Sequence, residues 1–119
     1  MAVHMLPWDT NRNLVEEANR LYDEAGTFRG IEKGDLVAIK IHVGELGNPY
    51  YVQPCFVHDI VRRVKELGAK PFLTDSNTYY LAQRHNAYDH MQTALINGFN
   101  MAPFIVADGL KSENFQTVK

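Results

Sequence analysis

Lys40, His42 and Glu45 fall close together in the run LVAIKIHVGELGNPYY. A lysine brings a cation, a histidine an acid–base group that changes charge near neutral pH, and a glutamate a carboxyl. Side chains two apart on a strand share a face, so Lys40 and His42 point the same way. Lys40 sits inside an otherwise apolar run, where an unpaired charge is costly. It either snorkels or pairs with a carboxylate such as Asp75, or it projects into a site and holds an anion or a carbonyl. Further along, TDSNT carries Asp75 and Asn77, HNAYDH carries His85, Asn86, Asp89 and His90, and Asp108-Gly109 closes the last apolar run. His42 and His90 are the candidate catalytic acid–base residues. His42, Glu45, Asp75 and His90 together offer donor types that zinc or a hard cation takes, at a spacing that matches no compact metal motif. The structural alternatives are a hydrogen-bonding role for His42, and helix capping by Asn86 with Asp89 near the positive helix end.

The elements that must carry these residues follow from periodicity. Val3 to Leu6 reads as a short strand stopped by Pro7 and followed by Trp8-Asp9. Asn13 and Glu16 form a capping box ahead of a helix with Leu14, Val15, Ala18, Leu21, Tyr22 and Ala25 on one face, ended by Gly26. Leu36 to Val43 is a near-continuous apolar strand of the kind found in covered parallel sheets. Pro54 opens a helix whose buried stripe is Val57, Ile60, Val61, Val64 and Leu67. Pro71 to Thr74 is the next strand. A third helix spans about Asn86 to Asn97, with Tyr88, Met91, Ala94 and Leu95 facing in. Phe104 to Ala107 is the last strand. The order β-α-β-α-β-α-β predicts a three-layer α/β domain with a mostly parallel sheet of about four strands. Its ligands belong beyond the strand carboxyl ends, where Lys40 and His42 form a floor and Asp75, Asn77 and His90 form walls, with Asp108 beside them. The loop Gly44-Glu45-Leu46-Gly47-Asn48 can turn backbone N–H groups toward an anion. It is neither GxGxxG nor a P-loop. Tyr50, Tyr51, Tyr79 and Tyr80 wall a pocket or cover the sheet rim.

The chain has 119 residues, 45% hydrophobic and 22% charged, with a formal charge of −2. These values fit one globular domain, or the N-terminal part of a larger one, and give no basic face for duplex nucleic acid. Cys55 is the one cysteine, so no internal disulfide forms. That usage points to a reducing, cytoplasmic setting. The N-terminus lacks a signal-peptide pattern, and no apolar run reaches the ~18 residues of a membrane span.

The series VAIKIHVGELGNPYYVQP, KELGAKPFLTDSNTYY, RHNAYDH, ALINGF and PFIVADGL resembles the uncharacterised conserved proteins called iron–sulfur centre proteins. In that family a large domain of unknown function accompanies ferredoxin-type modules. The resemblance spans about Leu36 to Leu110. It marks Lys40, His42, Gly44, Glu45, Gly47, Asn48, Asp75, Asn77, Arg84, Asn86, Asp89, His90, Asp108 and Gly109 as motif positions, which adds Arg84 to the ligand-binding candidates. The relatives continue further and carry CxxCxxC segments, absent here. A [4Fe–4S] cluster would therefore belong to a longer form, because this chain alone holds none.

The sequence thus predicts a small-molecule, anion or metal site at the strand ends. Two alternatives stand beside it. One is a substrate-positioning part of a redox enzyme whose cluster domain lies elsewhere. The other is a non-catalytic module that makes a homo-oligomer through exposed sheet edges.

Overall fold

A computed structural model describes residues 3–7, 9 and 11–118. Six elements follow in order: α1 (Leu14–Ala25), β1 (Leu36–Lys40), α2 (Pro54–Glu66), β2 (Lys70–Asp75), α3 (Ala87–Ile96) and β3 (Phe104–Val106). Both strand pairs are parallel in the order β1-β2-β3, with Ile39 opposite Leu73 and Leu73 opposite Phe104. The mixed α/β reading with a parallel sheet holds.

Residues 3–7 form no strand, so the sheet has three strands among the described residues. Pro7 offers no N–H to a ladder, and Val3 and Met5 remain exposed. His4 instead meets Glu24 of α1 at 3.5 Å. The predicted end of this segment includes Trp8, which lies outside the described residues.

The expectation of helices on both sheet faces is also corrected. Val37, Ile39, Leu73 and Phe104 point to one side, and α2 and α3 both pack there through Val57, Val61 and Ala94, with Val43 and Phe99 completing the core. Right-handed crossovers in a 1-2-3 strand order place both connecting helices on the same side. The opposite face carries Leu36, Ala38, Lys40, Phe72 and Ile105 and stays largely open. Helix α1 packs on α2 rather than on the sheet. Arg63 fastens it by donating to the Asn19 side chain at 3.0 Å, by pairing with Asp23 and by stacking over Phe28.

Local signals at the helix ends behave as read. The Asn13 side chain accepts from the amides of Val15 and Glu16 and donates to Glu16, and Gly26 closes α1 in the left-handed region. Pro54 opens α2, and Asn86 caps α3. Helix α3, however, is rotated from its predicted orientation. Ala87, His90, Thr93 and Ala94 are buried, whereas Tyr88, Met91 and Leu95 face outward. Of its polar residues, His90 is buried with Nε2 3.8 Å from Asp75, and Thr93 is buried with its hydroxyl donating to the Asp89 carbonyl.

Candidate functional site

The carboxyl ends of β1 and β2 lie side by side, with Lys40 opposite Thr74 in register. Asp75, the last residue of β2, is buried on the core-facing side of the sheet. Lys40 belongs to the other side by parity, yet its ammonium reaches Asp75 Oδ1 at 3.0 Å while the side chain stays 70% exposed. The lysine therefore pairs with a carboxylate and still presents a cation to solvent.

Arg84 organises the rest. Its side chain is 3% exposed. Its Nε donates to Glu45 Oε1 at 2.8 Å, Nη1 lies 3.4 Å from Asp75 Oδ2, and Nη2 contacts Tyr80 Oη at 2.7 Å and His42 Nε2 at 2.9 Å. The Tyr80 hydroxyl donates in turn to Glu45 Oε1 at 2.8 Å. Buried charges are tolerated when they are paired and hydrogen-bonded. Arg84 meets that condition by setting one guanidinium against two carboxylates, with Lys40 as the second cation. Burial raises the Glu45 pKa, but hydrogen bonds from Arg84 and Tyr80 and the Arg84 charge outweigh it and hold the carboxyl below its ordinary range.

His42 is clamped on its other nitrogen, where the Gly44 N–H donates to Nδ1 at 3.0 Å. Nε2 faces Arg84 Nη2, a group that only donates, so the ring lies between two donors. His90 is fully buried against Phe104, with ring centroids 5.2 Å apart. Its Nε2 stands 3.8 Å from Asp75 Oδ2, and neither ring nitrogen has a hydrogen-bond partner among the described residues. Burial holds His90 neutral by lowering its pKa; Asp75 opposes this and Arg84 reinforces it.

The structure thus brings Lys40, His42, Glu45, Asp75, Arg84 and His90 to one end of the sheet. Asn77 and Asp108 serve a different purpose. The Asn77 amide donates to Asp108 Oδ1 at 2.9 Å and the Asn77 side chain donates to the Gly109 carbonyl, tying the loop after β2 to the turn after β3. In the glycine-bearing loop, Gly44 N–H is committed to His42 and Asn48 N–H to the Glu45 carbonyl, while the Asn48 side chain accepts from the Tyr50 amide. Gly47 adopts the positive φ of the turn. These bonds shape the loop internally. The role of Tyr80 was not separable from that of its aromatic neighbours in the sequence, since only the fold shows its hydroxyl between Arg84 and Glu45.

Against this cluster lies a groove of about 800 Å³, lined by Lys40, His42, Pro49, Tyr50, Tyr51 and Gln53 among others. Tyr51 is anchored by packing on Phe99, with centroids 5.9 Å apart, whereas Tyr50 is almost fully exposed. The volume lies in the range of small-molecule sites.

No group of three or more His, Cys, Asp or Glu side chains among the described residues is arranged to hold a metal ion. His42, Glu45 and Asp75 converge instead on the Arg84 guanidinium. A [4Fe–4S] cluster takes four thiolates. Cys55 is one exposed thiol in the first turn of α2, so these residues do not fit that group. No helix among the described residues is long and apolar enough to cross a membrane.

A family model described as "Domain of unknown function (DUF362)" matches residues 37–119, from β1 through the last described residues and including every side chain of the cluster. No curated protein and no solved structure matches the chain.

Proposed function

Because the chain belongs to the DUF362 family, whose description attaches no activity, we propose its function from the site alone: it binds a small organic anion in the groove at the carboxyl end of β1. The observation that carries this reading is Lys40. Its ammonium is held in place by buried Asp75, which Arg84 fixes from the other side, and it remains mostly exposed at the groove. A cation positioned in this way meets an incoming carboxylate without first ordering a flexible side chain. His42 supplies a second polar group. Tyr50, Tyr51 and Pro49 supply apolar walls for the body of the ligand.

Benzoate, an anionic head on a flat apolar body, is a suitable probe. Calorimetric titration into the 119-residue chain should show saturable binding that Lys40→Gln weakens by about tenfold, the scale of one lost charge-assisted contact. Equal binding by Lys40→Gln would remove the lysine from the site.

The resemblance to iron–sulfur centre proteins supports a substrate-positioning role beside a redox module, with the cluster supplied by another segment or protein. The single cysteine is in keeping with a reducing, cytoplasmic setting. Self-association draws support from a different observation. Among the described residues the sheet has two unpaired edges, at β1 and β3, and its open face exposes Leu36 and Ile105. Unpaired edges offer N–H and C=O groups to another chain, and β1, with five residues, is the longer of the two. A single monomeric species in sedimentation at high concentration would dismiss that reading.

A further inference from the structure

A second cavity, of about 500 Å³, lies where the loop after β2 meets the turn after β3, lined by Thr78, Tyr79, His85, Asn86, Lys111 and Ser112. It shares no lining residue with the Lys40 groove. None of the six is acidic. Lys111 and His85 are exposed, and Lys111 enters no ion pair among the described residues.

The walls are fixed by bonds that leave most of these side chains free. The Thr78 amide donates to the Arg84 carbonyl at 2.8 Å and closes the loop, and the Ala87 amide donates to the Leu110 carbonyl at 3.0 Å and ties α3 to the turn. The Glu113 carboxylate, on the same turn, is engaged by the amides of Leu110 and Lys111. The Asp89 carboxylate accepts from the Asn86 side chain at 2.7 Å. Thr78 Oγ1 donates to the Tyr80 carbonyl and keeps its lone pairs. Among the described residues the hydroxyls of Tyr79 and Ser112, the His85 ring and the Lys111 ammonium have no hydrogen-bond or ion-pair partner, and they remain to receive a ligand.

We infer that this cavity binds the phosphate group of a small phosphate monoester, with Lys111 as the cation and His85, Ser112 and Tyr79 as donors. A dianionic phosphate presents three terminal oxygens, which several separate donors satisfy better than one carboxylate would. Lysine is a common point-charge partner for phosphate. The cavity is larger than a bare phosphate needs and lies in the range of small-molecule sites, and the fully exposed Tyr79 ring gives the organic part an apolar surface.

The test is a ¹H–¹⁵N correlation titration of the 119-residue chain with phenyl phosphate, with inorganic phosphate in parallel. Saturable shifts are expected at residues 78–79, 85–87 and 111–112, at lower concentration for phenyl phosphate. Lys111→Gln should weaken binding by about tenfold and His85→Gln by a smaller factor, with dispersed spectra confirming the fold, whereas Lys40→Gln should leave it unchanged. Absence of saturable shifts up to about 10 mM, shifts confined to residues 40–53, or wild-type binding by Lys111→Gln would each overturn the assignment.

Discussion

Replacing Arg84 by methionine keeps much of its volume and removes the one buried cation that Glu45 and Asp75 share. Removing one partner of a buried pair costs about 3–5 kcal/mol, because the other charge stays buried and uncompensated. Here the lower figure applies, for two reasons. Lys40 still holds Asp75 at 3.0 Å, and the Glu45 side chain is 22% exposed, so water relieves part of the penalty. For a chain of 119 residues the unfolding entropy is about 0.25 kcal/mol/K, so a loss of about 3 kcal/mol lowers Tm by about 12 °C. Urea unfolding at pH 7, followed by circular dichroism, measures the loss. The penalty should shrink with acid. Glu45 has a lowered pKa in the folded protein, so its stabilising contribution is present above its ordinary value of 4.5 and is lost as pH falls through the folded value. The variant has already lost that contribution, so the two proteins converge in acid. Adding Glu45→Gln to Arg84→Met should return at least about 1 kcal/mol relative to additivity. A loss below about 1 kcal/mol at pH 7, with additive double-mutant behaviour, would refute the view that Arg84 neutralises a buried cluster.

Two further outcomes follow from the same geometry. His90 is held neutral by burial, so its folded pKa lies below 6.5 and the unfolded chain takes up the proton first. Stability should be full above about pH 6.5 and decline as pH falls toward the folded value, and His90→Gln should flatten that part of the stability–pH curve; an identical slope in the variant would contradict the burial argument. Gly44 has φ +81°, and an added Cβ would lie 2.5 Å from Tyr51 Cδ1. Gly44→Ala should therefore cost about 2–4 kcal/mol in denaturant unfolding and displace the Tyr51 wall, whereas a cost below about 0.5 kcal/mol would show that the loop adapts freely.

The sequence carried the helix boundaries and the two crossovers well, because Asn13, Gly26, Pro54 and Asn86 act locally through caps and fixed dihedrals. The Lys40–Asp75 pair was one of the readings the sequence left open, beside snorkelling and projection into a site, and the fold selects it because Asp75 ends the neighbouring strand. Periodicity misled at α3. It locates an apolar stripe and does not say which neighbour lies opposite, and here the buried side carries Ala87, His90, Thr93 and Ala94. Strand-like composition at Val3–Leu6 failed for a related reason. Pairing needs the segment to run along a sheet edge, and residues 3–7 instead lie by α1, where His4 meets Glu24 at 3.5 Å. The central position of Arg84 was invisible for the same cause. It sits in an irregular loop, and its four partners come from residues 42, 45, 75 and 80, joined only by the fold.

The proposal that Lys40 presents a fixed cation to a small organic anion is tested most directly by a ¹H–¹⁵N titration with benzoate. Saturable shifts should concentrate at residues 40–42 and 50–53, the walls of the groove. In Lys40→Gln the same shifts should require about tenfold more benzoate. Absence of saturable shifts at these residues, or an unchanged midpoint in the variant, would contradict the account.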